Sequence, residues 1–191
     1  MTTRRREFVR REIERAGMEL IAERGYDHVT IAEIAAGSGV SRRTFFRHFD
    51  SKSSLMDAYA ARLMRRVIAV VTQRPSDEPA AAALAGALLA TAEMSDDEQA
   101  LTRLRHRALQ QVRGDPIAIG APDAVEDLVK LVAIRMRVDS LTDLRPRLTV
   151  WTMLTAAQAA TKTWVELDDD SRLVTHLDAA LEIMLDGLGN E

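Results

Sequence analysis

Apolar residues recur along the chain at steps of three and four, and no useful length shows the alternation of a strand. The pattern predicts an all-helical protein of about nine helices. Val9, Ile13, Ala16, Gly17, Leu20 and Ile21 form one face of a first helix, from about Arg6 to Arg24, which Gly25 stops. Ahead of it, Thr2 to Arg6 is expected to be a mobile arm. Its Arg4, Arg5 and Arg6 track a phosphate backbone, enter a minor groove, or serve as a solubilising tail. Between Thr30 and Lys52 the pattern shortens to two small helices joined by Gly37, Ser38 and Gly39. Leu55, Met56, Tyr59, Ala60, Leu63, Val67, Ile68 and Val71 then form a broad surface on a long fourth helix. Asp50 or Ser51 caps that helix, and Pro75 ends it after about Gln73.

Five more helices follow. Glu78 and Pro79 open one that reaches about Met94, and Ser95-Asp96-Asp97-Glu98 is a capping box opening the next. That helix is expected to stop near Arg113, where Gly114 and Pro116 break it. Ala121-Pro122 opens another, to about Val138. Asp143 and Pro146 begin one that reaches Leu167, and the acidic turn Asp168-Asp169-Asp170 starts the last, which Gly187 and Gly189 end.

The stretch from Thr30 to Lys52 carries the most specific chemistry. Thr30 and Glu33 have the capping-box spacing, with Val29 and Ile34 placed as a hydrophobic staple. Ser41 repeats the cap, with Val40 and Phe45 around it. Ile31, Ile34, Ala35, Val40, Phe45 and Phe49 can share one small core. If Phe45 and Phe49 point inward at i, i+4, then Arg43 and Arg47 point outward, flanked by Arg42, Thr44 and Phe46. Such a face suits a polyanion. Arginine pairs bidentately with guanine in the major groove, whereas Ser, Thr, His and Lys suit phosphate contacts that set register. The candidate DNA contacts are therefore Thr30, Ser41, Arg42, Arg43, Thr44, Phe46, Arg47, His48 and Lys52. Lys52 stands in the first turn of a helix, where a cation is electrostatically misplaced without an anion nearby, and phosphate is the expected anion.

The run Thr30, Ile34-Ala35, Gly39-Val40-Ser41, Thr44-Phe45-Phe46, Phe49 and Ser51-Lys52 resembles the DNA-binding signature of the tetracycline-repressor-like (TetR) family of bacterial regulators. The family pattern often has glycine where Arg43 stands and tyrosine where Phe46 and His48 stand. Arg43 is thus expected to add a base or phosphate contact, while Phe46 lacks a phenolic hydroxyl to offer. The resemblance implies a three-helix helix-turn-helix head, residues 1–50, joined by a long helix to a helical effector-binding and dimerisation body, residues 51–191. It also implies a homodimer on double-stranded DNA of inverted-repeat sequence, released by a small-molecule effector.

Charge distribution fits that division. The net charge is −3, but residues 1–60 carry 11 Lys+Arg against 9 Asp+Glu, and residues 61–191 carry 15 against 20. With no cysteine, disulfides and thiolate chemistry are excluded, as suits a cytoplasmic protein. No signal peptide is evident, and the most apolar window, Pro79 to Ala92, is shorter than the ~20 residues that span a bilayer. No membrane association is expected.

The last two helices are the dimerisation candidates. Ala156-Ala157-Gln158-Ala159-Ala160 offers a smooth surface, and Leu173, Leu177, Leu181, Met184 and Leu188 form a stripe that serves either a dimer seam or the internal core. The resemblance further implies an internal cavity for a largely apolar effector, for which Met94, Leu104, His106, Gln110, Met136, Trp151, Thr155 and Gln158 are the candidate lining. The cluster Arg103-Arg105-His106-Arg107 either attracts an anionic effector or is a solvated helix face. Neither a catalytic site, a cofactor nor a metal is expected. Arg42 stands where a dinucleotide loop opened by Gly37-Ser38-Gly39 would need its third glycine, and the four histidines lack metal-ligand spacing. Two alternatives stay open: an activator or effector-independent DNA binder, and a helical ligand-binding protein or enzyme with a vestigial head.

Overall fold

The computed structural model describes residues 3–110, 122–167 and 169–186, and these contain nine α-helices, one short 3-10 helix and no strand. The helices are α1 (Thr3–Arg24), α2 (Ile31–Gly37), α3 (Arg42–Phe46), α4 (Lys52–Gln73), α5 (Ala80–Ala92), α6 (Asp96–Gln110), α7 (Pro122–Met136), α8 (Leu144–Leu167) and α9 (Leu173–Asp186). They form two compact units, the described residues of Met1–Ala61 with Ala100–Ala121, and those of Arg62–Gln99 with Pro122–Glu191. Both α4 and α6 contribute residues to each unit.

In the first unit α1 packs on α2, and α2 on α3. Ile13, Met18, Ile21, Ile34, Phe45, Leu55 and Met56 fill its core. Gly17 permits a close approach, since a Cβ there would stand 2.9 Å from Leu55 Cδ1 and displace that buried side chain. Gly39 is required by its backbone, at φ +66°, a conformation that costs an L side chain about 1 kcal/mol or more. The second unit buries a single apolar cluster that includes Val67, Leu84, Leu88, Leu128, Val132, Val150, Met153, Trp164, Leu177 and Leu181. The alanines of α5 let it lie against α7, α8 and α9. Arg135 of α7 caps the end of α4, donating to the carbonyls of Val71, Arg74, Pro75 and Glu78.

Several boundaries differ from expectation for local reasons. Helix α1 begins at Thr3, so Arg4, Arg5 and Arg6 are helical and exposed instead of forming an arm. Ser51, not Asp50, caps α4: its hydroxyl accepts from the Ser54 amide at 3.0 Å, and its own amide donates to the Ser54 hydroxyl at 3.0 Å. Helix α9 starts at Leu173, after the acidic turn, because Asp169 accepts from the Ser171 amide at 2.9 Å and the Ser171 carbonyl accepts from Trp164 Nε1 at 2.8 Å. The expected breaks at Gly114, Pro116, Gly187 and Gly189, and the stripe residue Leu188, lie outside the described residues.

Candidate nucleic-acid interface

Two caps hold the central hairpin. The Glu33 amide donates to the Thr30 hydroxyl at 3.3 Å, and Glu33 Oε2 accepts from the Thr30 amide at 2.8 Å. Thr30 Oγ1 donates to the same oxygen at 2.7 Å, and Arg24 pairs with the other at 2.8 Å. These partners, the Thr30 hydroxyl first, hold the Glu33 carboxyl at about 2. The second cap is the Ser41 hydroxyl, which accepts from the Thr44 amide at 3.1 Å. A helix of five residues has little stability of its own, so these caps and the burial of Phe45 determine where α3 lies.

With Phe45 and Phe49 buried, Arg42, Arg43, Phe46 and Arg47 are exposed together with Ser41, and Thr44 is half-buried. Phe46 remains 46% exposed, with its ring set edge-on to Phe45 at 5.6 Å. Three guanidiniums and one aromatic face thus project from one short helix and the residue that caps its end. That combination can engage phosphates and base edges, and it offers no nucleophile or general base. Thr30 is also exposed, with its hydroxyl committed to the cap.

Two expected contacts are placed elsewhere. His48 is buried, and its Nε2 has no hydrogen-bond partner. Burial pushes the imidazole below its usual 6.5, and Arg47, Arg6 and Arg10 push it the same way. It turns inward because it follows α3 beside the buried Phe49. Lys52 is held by the protein: its Nζ donates to the Val29 carbonyl at 2.8 Å and to the Tyr26 carbonyl, and lies 4.1 Å from the centre of the Tyr26 ring. Where the macrodipole argument expects an anion, the ammonium meets neutral carbonyl oxygens of the segment after α1. These contacts tie that segment to the first turn of α4.

The expected effector residues are divided between the two units. Met94 is buried and Met136 half-buried in the second unit, while Trp151, Thr155 and Gln158 are exposed on α8. Helix α8 is apolar on more than one face, and Val150, Met153 and Trp164 take the inward one. In the first unit Leu104 and His106 are half-buried and Gln110 is exposed. A cleft of about 400 Å³ in this unit is lined instead by Glu12, Arg15, Ala16, Glu19, Gly37, Ser38 and Gly39. The arginine cluster of α6 is partly internal. Arg105 lies 5.7 Å from the Tyr59 ring, and Tyr59 shares a hydrogen bond with Thr102. Among the described residues no group of three His, Asp or Glu side chains is arranged to hold a metal, and no helix is long and apolar enough to cross a membrane.

The sequence pattern missed Arg10 and Glu14. Glu14 is fully buried on α1, and Arg10 Nε donates to it at 3.3 Å. The signal available was a carboxylate placed four residues after an arginine, on a face otherwise apolar.

Comparison with known proteins agrees with this geometry. Residues 13–59 match the family described as bacterial regulatory proteins, tetR family, and residues 78–189 match the MftR C-terminal domain. The transcriptional regulator TcmR of Streptomyces glaucescens is 28% identical over 95% of this chain and 83% of its own. MftR of Mycobacterium tuberculosis, named as a regulator of mycofactocin biosynthesis, is 27% identical over 97% and 93%. Among solved structures, NalD of Pseudomonas aeruginosa, the secondary repressor of the MexAB-OprM efflux pump, superposes with a TM-score of 0.64 at 17% identity, over 95% of this chain and 97% of that one. Thermus thermophilus FadR, a repressor solved with lauroyl-CoA, gives 0.54 at 24% identity, over 95% and 96%. At those identities the structures speak for the fold, and the matched families for the rest. The chain belongs to the tetR family of bacterial regulatory proteins and is a DNA-binding transcriptional regulator.

Proposed function

We propose that the protein is a cytoplasmic homodimeric repressor that binds an inverted-repeat operator and leaves it when a small, largely apolar effector binds. Residues 1–50 act as the reading head and residues 51–191 as the effector and dimerisation body. The observation that carries this is the outward face of α3, where Arg42, Arg43, Phe46 and Arg47 surround a buried Phe45. Arg43 reads a base edge, and Ser41, Arg42, Thr44 and Arg47 set register on phosphates. The protein acts by binding and not by catalysis.

A palindromic site asks for two-fold symmetry, and the second unit has a surface suited to it. Leu144, Leu148, Trp151, Thr155 and Gln158 follow one another along the outward side of α8, with Leu144 70% and Leu148 60% exposed. On α9 the expected stripe residues Leu173, Leu177 and Leu181 turn inward to the unit's own core, and Ile183 and Leu185 are instead more than half exposed. So much apolar surface on two adjacent helices favours a second copy as its cover. Trp151, Thr155 and Gln158 then serve the dimer contact. The effector's place is assigned to the apolar interior of the body, around Met94 and Met136. It releases DNA to the extent that it binds the non-reading arrangement more tightly.

Sedimentation of the full chain with and without duplex tests the assembly. Two chains per duplex are expected, and Leu148→Asp, at an exposed position, leaves helicity intact while giving monomers that bind DNA weakly. A wild-type protein that is monomeric both free and on DNA would contradict the proposal.

A further inference from the structure

Helix α3 is capped at its start, but the chain beyond its end needs a separate restraint. One is present on α1. The His48 carbonyl, just past α3, accepts from Arg10 Nη1 at 3.4 Å, and the Arg10 guanidinium stacks 4.6 Å from the centre of the Phe49 ring. The same guanidinium donates through Nε to Glu14 at 3.3 Å. Glu14 has no exposure at all and shares its part of α1 with Ile13, Met18 and Ile21. A carboxylate buried among such residues is costly unless a cation meets it. Arg10 is that cation, and the pairing fixes its side chain in turn.

Resting on the DNA-reading role proposed above, we infer that Arg10 is a positioning residue: held by buried Glu14, it sets the pitch of the recognition helix through the His48 carbonyl and the Phe49 ring. The planar fork is what makes this possible. It meets a carboxylate along one edge, a carbonyl along another and an aromatic ring on its face, which the point charge of a lysine cannot do together. Arginines 42, 43 and 47 present the chemistry of recognition, and Arg10 determines the angle at which they arrive.

Two variants of the full chain test it, Arg10→Lys, which keeps a cation beside Glu14, and Glu14→Gln, which keeps the shape and removes the charge. Each is titrated against a duplex enriched by the wild type from a random pool and against a random-sequence duplex of the same length, at a temperature where circular dichroism shows full folding. The expected result is a fall of about tenfold in the ratio of the two affinities, the discrimination of roughly one bidentate arginine–guanine pair, with random-duplex affinity unchanged. Equal losses on both duplexes would make Arg10 an ordinary phosphate contact and overturn the inference. So would an unchanged ratio, or failure of both variants to fold, which would leave only a structural role. A wild type that enriches no duplex would instead overturn the reading role beneath it.

Discussion

Replacing Lys52 by methionine separates two physical accounts of one residue. Methionine keeps most of the apolar stem and removes the ammonium, which donates to the carbonyls of Tyr26 and Val29 and lies over the Tyr26 ring. Charge-assisted hydrogen bonds contribute about 1.5–3 kcal/mol each when buried. Lys52 is half-buried, so water partly replaces the lost donor and about 1 kcal/mol per bond is the appropriate figure. The cation over Tyr26 adds about 0.5 kcal/mol. The loss is therefore about 2–2.5 kcal/mol, or a Tm lower by roughly 5–10 °C for a chain of this size. Thermal melts by far-ultraviolet circular dichroism measure it. In parallel, fluorescence anisotropy gives the dependence of duplex affinity on salt, with the slope of log K against log salt unchanged in the variant. A melting temperature that stays put while the slope falls by about 1.8, the release of one counterion for each Lys52 of the dimer, would show that Lys52 meets phosphate and refute the reasoning.

Three further outcomes follow from the same structure. Phe45→Ala empties a fully buried aromatic site and is expected to cost about 3–5 kcal/mol, enough to abolish duplex binding, as denaturant titration and anisotropy would show. Arg137 closes α7 with φ +57°, its amide donating to the Ile134 carbonyl and that of Val138 to the Ala133 carbonyl. Arg137→Gly relieves that backbone and is expected to stabilise the protein by about 1 kcal/mol in the same titration. Two groups make stability pH-dependent in the same direction. Glu33, held at about 2 against 4.5 when free, contributes stability that is complete above pH 4.5 and lost as pH falls toward 2. His48, with its folded value depressed, stays neutral where the unfolded chain takes up a proton, so stability falls as pH drops below 6.5. Denaturant titrations across pH should show the low-pH loss shrinking in Glu33→Gln and the loss below 6.5 shrinking in His48→Gln.

What could be read from sequence was what short range determines. The caps at Thr30, Ser41 and Ser95 depend on partners three residues away, and all three form as their spacing implies. The inward turn of Phe45 and the outward turn of Arg43 follow from helical pitch alone. The macrodipole at Lys52 is a local argument, whereas the carbonyls its ammonium meets come from residues more than twenty positions earlier. A charge on an apolar face, such as Glu14, looks like a boundary of that face until its cation, and the cation's distant acceptor, are placed. Helix α8 gave no phase to read. Val150 and Trp151 are neighbours of equal apolar character, and only packing against α7 and α9 decides that the first turns in and the second out.

The most direct test is selection of bound duplexes from a random-sequence pool by the full-length wild-type chain at moderate salt. The account predicts enrichment of an inverted repeat whose half-sites are centred about one helical turn apart, ~10–10.5 base pairs, or a multiple of it. Enrichment of unpaired half-sites, or no enrichment over the starting pool, would contradict it.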